Sequence, residues 1–490
     1  MKIGMGENLV FTMRNSPLSL LIESSWRCTL KEKEMHGIEE KLVDYICHTR
    51  HENLPAEVVN TAKNMALTNI GTAIAGAMLE GCQPLVDQIK DWGGKEEATI
   101  LLHGGKVPAH NAVLINSYMA RALDFDDGIR PGMHVGASAV PAALASAELA
   151  GGCSGAEFLT ALAVGAEVAD RINLVSDYDG FDPTGICSIF AATAACSKII
   201  RLDRDQTWNA LAIAFNKSGG SFQSNIEGTL SVRLIQGFVS QGAILSVQLA
   251  KSGFTGPKSF LGGTYGYFHL YAKDRYDPQA VVGELGKRFE MNKTLFKKYP
   301  SCGDTLASTQ AMLDLVREKN ITADDIAQID IKVTPYVYKL VGNPFQVREN
   351  PRVDAQFNIR YCVANALLRK SSRLEHFEES SVKDPKIKNI AEKVNVVPDP
   401  ILDERGETAL EMQVFTKGGA VYSKSIDFPP GFPENPLTEE ENMDRFGDCI
   451  RYAKKSLPPK NIEKLVSSIT ELEGIRDIRC LIPLLLYQDS

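Results

Sequence analysis

AVPAALASAELAGG (139–152), FLTALAVGAEVADRINLV (158–175) and SIFAATAACSKIIRL (188–202) decide the fold class. Their apolar residues recur at helical spacing, and Ala and Gly fill i, i+3 and i+4, so helix axes can approach closely. EVVNTAKNMALTNIGTAIAGAM (57–78) has the same texture. A stretch from about 36 to 255 written this way predicts mutually buried helices in an all-α domain. Gly151-Gly152, Asp179-Gly180 and Gly219-Gly220 read as stops between them. GFTGPKSFLGGTYGYFHLY (253–271) reads as a glycine- and aromatic-rich connector.

From about residue 290 the pattern changes. IAQIDIKVTPYVYKLV (326–341) and ALEMQVFTKGGAVYSKSIDF (409–428) alternate with period two, the second around a Lys-Gly-Gly hairpin turn. Helical stretches lie beside them near 303–318 and 355–370. Beyond PPGFPENPL (429–437) helical periodicity resumes. The expected architecture is mainly α: a large, discontinuous helical domain (36–292 and 433–490) carrying a smaller α+β lid domain (293–432). A separate third helical piece at the C-terminus is the alternative. An amphipathic helix begins at MHGIEEKLVDYI (35–46), so residues 1–35 are read as a poorly packed extension.

The 490 residues suit more than one core, and 61 acidic against 53 basic side chains give a net charge of −8. That balance argues against a protein devoted to nucleic-acid backbone. No uncharged apolar run approaches the ~20 residues that span a bilayer, so no membrane insertion is expected. The ten cysteines are scattered, without CxxC or zinc spacing, which suits reduced thiols in the cytoplasm. No dinucleotide fingerprint or P-loop is present, and no organic cofactor is indicated.

The densest polar feature is Asp124-Phe125-Asp126-Asp127, followed by Gly128-Ile129-Arg130-Pro131-Gly132-Met133-His134. Three carboxylates so close together suit a metal site, a charge network that sets a neighbouring base, or a solvated helix cap. A metal would need companion carboxylates that nothing downstream supplies, so no metal is expected. His134 precedes an apolar helical run, and a helix N-terminus disfavours the imidazolium, as a general base requires. One of the aspartates would hold its tautomer. The competing reading is a structural histidine. Lys297-Lys298-Tyr299-Pro300-Ser301-Cys302-Gly303-Asp304 gathers cations, a phenol and a thiol near the domain junction, where ligand sites often lie. Cys302 there reads either as an acid or nucleophile, or as a small hydrophobe. Arg233, a charge in an apolar segment, suits a bound carboxylate and a buried ion pair equally.

Taken in order, LPAEVVNTAK (54–63), ALDFDD (122–127), HVGASAVPAALASAE (134–148), GFDPTGICSIFAATAACSK (180–198), RLIQGF (233–238), KKYPSCGDT (297–305), VDAQFNIRYCVANALL (353–368) and PENPLTEEENMDRF (433–446) resemble the MmgE/PrpD family. That family includes 2-methylcitrate dehydratase, cis-aconitate decarboxylase and iminodisuccinate epimerase. The resemblance runs over nearly the whole chain after residue 36. It implies a helical domain with an α+β lid, a homodimer, and activity without cofactor on a small carboxylate substrate. Asp124 and His134 match the family's site Asp and His. Gly128 stands where decarboxylase-like members carry Thr, Asp182 where they carry His, Val232 where they carry Lys, and Cys302 where they carry a further His. The Thr-His that follows is Thr305-Leu306 here.

The chemistry implied is proton transfer at a carbon α to a carboxylate. It is coupled to loss of water or CO₂, as in a lyase, or to reprotonation on the other face, as in an iminodisuccinate-type epimerase. Arg233, Lys297 and Arg130 would hold the substrate carboxylates. His134 with Asp124, and Asp182 or Cys302 opposite, would supply base and acid. The changed positions equally suit a family-fold protein that binds its ligand without turnover.

Overall fold

A computed structural model describes residues 37–487; the expected extension at 1–35 lies outside them. Helices α1 (Ile38–His48), α2 (Ala56–Gly76), α3 (Ala109–Arg121), α4 (Gly136–Leu149), α5 (Gly155–Asn173), α6 (Ile189–Ile200) and α7 (Ser231–Lys251) form the larger part. The glycine and alanine content acts where it was expected to act. A Cβ on Gly165 of α5 would fall 2.5 Å from the Ala191 carbonyl of α6, and one on Gly237 of α7 would fall 2.6 Å from the Leu114 carbonyl of α3. Those pairs pack backbone to backbone, so larger residues would force the helices apart.

Strands β1 (Ile326–Val333), β2 (Val394–Pro398), β3 (Leu410–Thr416) and β4 (Val421–Ile426) form one sheet in the order β2-β1-β3-β4. β1 runs parallel to β2 and antiparallel to β3. The β3–β4 hairpin turns at Lys417-Gly418-Gly419, with Gly419 at φ 83°. Ile329, Ile331, Val333, Met412 and Val414 are buried against α8 (Leu306–Lys319) and α9 (Ile359–Arg369) in a second apolar core. One expectation is corrected: alternation over 326–341 does not continue as strand. It ends at Val333, and Pro335–Val341 is a short helix. Thr334 accepts from Val337 N at 3.3 Å and Pro335 sits in the first turn, two helix-start signals that outweigh the alternating pattern.

The larger core draws apolar residues from Ile38 to Phe296 and again from Phe446 to Leu485. Helix α10 (Glu439–Tyr452) is capped by Thr438 and packs on α2, where a Cβ on Gly71 would come within 2.9 Å of the Phe446 ring. Among the described residues no helix is long and apolar enough to cross a membrane.

Candidate active site

A cavity of about 830 Å³ opens between the two cores. Asp124, Arg130, His134 and Asp182 line it from the helical side, with Lys297 and Cys302 at the junction and Asp304, Tyr336, Lys339 and Glu407 from the α+β side. Six of the seven residues singled out from sequence therefore meet around one space. Arg233 does not.

The aspartate loop is built by a reversal after α3. Asp124 turns the chain at φ 51°, and Asp127-Gly128 then pairs antiparallel with Leu295-Phe296. This brings Lys297 to the loop: its Nζ lies 2.9 Å from both the carbonyl and Oδ1 of Asp124. Arg121 bonds Asp124 as well and lies 3.4 Å from Asp126 Oδ1. All three carboxylates are buried, so the solvated-cap reading is corrected: the loop is a closed charge network. Burial alone would raise Asp124 and Asp126. Lys297, Arg121 and His134 hold Asp124 below the usual carboxylate range, and His134 with Arg121 does the same for Asp126. Asp127 goes the other way, raised by burial and by the adjacent Asp126. It accepts from Asn69 Nδ2 at 2.5 Å and from Gly136 N, at the start of α4, at 3.0 Å.

His134 sits where the loop enters α4. Its Nδ1 is 2.8 Å from the Asp127 carbonyl and 3.0 Å from Asp126 Oδ2. Both neighbours are acceptors, so Nδ1 carries the proton and a neutral ring keeps its lone pair on Nε2. Nε2 makes no hydrogen bond among the described residues. The backbone is pinned on both sides: Thr184 Oγ1 accepts from His134 N at 3.0 Å, while Ser188 Oγ and Gln236 Nε2 donate to His134 O at 2.5 and 3.2 Å. The expected partner is corrected here. The Asp127 carbonyl takes the imidazole hydrogen bond with Asp126 as the ring's ion-pair neighbour, whereas Asp124 serves Lys297 and Arg121.

Asp182 Oδ1 accepts from Gly185 N at 3.1 Å, capping the widened turn Thr184–Ser188 that leads into α6, and Asn225 Nδ2 lies 3.4 Å from Oδ2. Arg130 is held by Glu434 at 2.6 Å and lies over the Phe432 ring at 5.4 Å. Arg233 points away from this cavity, toward Glu80, with Nη1 3.2 Å from its carbonyl and 3.3 Å from Oε2. Of its two sequence readings, the structure adopts the ion pair, with Arg233 buried and Glu80 partly exposed.

Cys302 lies at the N-terminal side of α8. Burial and the neighbouring Asp304 and Asp124 carboxylates push its thiol well above the ordinary range, which disfavours the thiolate a nucleophile needs. Sequence reasoning passed over its neighbour. Burial, with Glu407 adding to it, raises Asp304 to about 7, the range in which a carboxyl can give and take protons at neutral pH. Glu407 is itself raised by burial. The signal for Asp304 was its place in the Lys297–Asp304 cluster; Glu407 comes from a distant loop that the period-two pattern only flanks. Lys339 makes no ion pair among the described residues and is exposed at the rim. Arg445 is a further residue missed. It lies 4.7 Å over the Phe125 ring and donates to Phe125 O at 3.0 Å, to Thr68 Oγ1 at 3.1 Å and to Lys297 O, tying the aspartate loop to the lysine strand. Among the described residues no group of three or more His, Cys, Asp or Glu is placed to hold a metal ion.

Residues 40–279 match the MmgE/PrpD N-terminal domain and residues 299–470 the MmgE/PrpD C-terminal domain. The chain belongs to the MmgE/PrpD family. A cis-aconitate decarboxylase-like protein, oryM of Aspergillus oryzae, is 22% identical to it over 476 residues, covering 92% of this chain and 97% of the relative. At the level of the family this supports a dehydratase- or decarboxylase-like role. The two matched MmgE/PrpD domains meet across the cavity described above, and Gly128, Asp182, Val232 and Cys302 line it.

Proposed function

We propose that this protein is a cytoplasmic lyase that dehydrates or decarboxylates a small di- or tricarboxylate by proton transfer α to a carboxylate, using its own side chains. The observation that carries the reading is the state of His134: Nδ1 committed to Asp126 and the Asp127 carbonyl, Nε2 unengaged at a cavity that also holds Asp304. Nε2 takes the α-proton, and the C–H electron pair moves into the adjacent carboxylate to give an enediolate. Lys297 has used two of its three ammonium donors on Asp124, and the third is available to that developing charge. As the pair returns, the β C–O bond breaks, and the departing oxygen takes the proton of neutral Asp304 and leaves as water. In decarboxylation no α-proton is removed: the C–C bond to the departing CO₂ breaks, its electron pair is taken up into the adjacent unsaturated carboxylate system, and the carbon that ends with the pair takes the Asp304 proton. Lys339 and Arg130 are the groups best placed to hold the remote carboxylate.

The family-type homodimer belongs to this proposal. Leu230, Phe238, Leu249 and Phe254 are exposed along and beside α7 and offer an apolar face for a second copy.

The test is a panel of small di- and tricarboxylates followed by proton NMR in D₂O, with His134→Ala in parallel. Product formation that falls roughly 10²–10⁴-fold in a folded His134→Ala protein supports the reading. Exchange at the α carbon without net loss of water or CO₂ would favour an epimerase. Saturable binding without exchange would make the protein a ligand binder.

A further inference from the structure

A second cavity, about 910 Å³, is lined by Met78 to Gly81, Arg352, Glu378 to Ser380, Lys383 and Lys454, with Arg233 lying behind Glu80. Its charges are unevenly matched. Lys454 is paired with Glu378 and Lys383 with Glu379. Arg233 and Arg352, each at least nine-tenths buried, share one carboxylate, Glu80, at 3.3 and 3.9 Å. Tyr452 OH takes a single Arg352 donor at 2.9 Å. Arg233 Nη2 and Arg352 Nε and Nη1 remain buried without a partner. A buried guanidinium with unmet donors is costly, and two of them against one carboxylate leave a surplus positive charge. Glu80, meanwhile, is 55% exposed at its side chain and sits in the turn before Gly81.

We propose that Arg233 and Arg352 form a second, non-catalytic site for a small oxyanion, a carboxylate or phosphate, with Glu80 as its internal plug. The planar donor forks suit such an anion, which would meet the unmatched N–H groups that Glu80 leaves bare. The site also bridges the two parts of the fold. Arg233 lies on α7, whose Val232, Ile235 and Gln236 line the catalytic cavity; Arg352 lies on the short helix Pro351–Gln356, whose Val353 and Asp354 line it as well. Occupancy would therefore brace the α+β side against the helical side. This inference does not rest on the proposed reaction.

Calorimetric titration and thermal melts of the full chain with inorganic phosphate, and separately with succinate, test it in the wild type, Glu80→Gln, Arg352→Gln and Arg233→Gln. Removing the plug raises the competent fraction, so Glu80→Gln should bind at least about threefold more tightly than wild type and show the larger anion-dependent rise in Tm. Both arginine variants should lose that response. The anion giving the larger response identifies the source. Succinate binding that is equal in all four proteins would place it in the catalytic cavity and overturn the proposal. So would the absence of any anion response in wild type and Glu80→Gln together. If Arg352→Gln fails to fold, Arg233→Gln and the Glu80→Gln comparison still decide.

Discussion

His134 and Asp126 are joined through Nδ1 and Oδ2 at 3.0 Å, while the first aspartate of the loop, Asp124, is turned to Lys297. The carboxylate paired with His134 is thus separate from the one that anchors the cation. Asp126→Asn should keep the fold and lower turnover about 10–100-fold, the range typical of a lost orienting partner, because the Asp127 carbonyl still fixes the tautomer. Steady-state rates with a melting curve on the same preparation check this; a fully active Asp126→Asn enzyme would remove Asp126 from the account.

Lys297→Met should act on both stability and rate. It strips Asp124 of one of its two buried cationic partners, and breaking a buried pair typically costs about 3–5 kcal/mol, with Arg121 retained to moderate the loss. Denaturant titration reads the first effect. A stable, active Lys297→Met protein would contradict the charge network.

Asp304 sets a pH dependence of known sign. Its folded-state value, about 7, lies above the ordinary 3.8, so the native state binds the proton more tightly than the unfolded chain. The stability it contributes is fully present below pH 3.8 and is lost as pH rises through 7. As the acid of the reaction it should also give a rate that falls on the alkaline side of about 7. Asp304→Asn should flatten both limbs. Melting temperatures and kcat from pH 5 to 9 test this, and an unchanged profile in the variant would exclude the residue.

Arg445→Met should destabilise without touching the cavity lining. It leaves the Lys297 and Phe125 carbonyls without their donor, at about 1–3 kcal/mol for each buried group so exposed. Because those carbonyls belong to the lysine strand and the aspartate loop, KM for a carboxylate substrate should rise with it. Stability loss with KM unchanged would make Arg445 purely structural.

The helical class was legible in 139–152 and 158–175 because small residues at helical spacing have one economical use, close axial packing. The hairpin was legible for its Lys-Gly-Gly turn. The helix Pro335–Val341 was not, because PYVYKLV satisfies both periods and only the Thr334 cap and Pro335 break the tie. Within the site, His134 and the aspartate loop could be found because they are adjacent in sequence. Which aspartate meets the ring could not, since the left-handed turn at Asp124 reverses the direction of that side chain. Asp304, Glu407 and Arg445 owe their character to burial and to partners scores of residues away, and neither is written in local pattern. Arg233, read as a charge in an apolar segment, could be seen to need a partner, but not that the partner would be Glu80.

The short helix Pro335–Val341 separates two kinds of mutational freedom. Tyr336, 42% exposed, and Lys339 ride on it at the cavity rim, with Arg348 a few residues beyond, whereas His134 is held by buried backbone on the far wall. Exchanges along 336–348 should change what the rim admits while leaving His134, Asp126 and Lys297 in register. Divergence of substrate range among proteins of this build is therefore to be sought in that rim, and a chimera that transplants it alone should inherit the donor's preference with the recipient's chemistry.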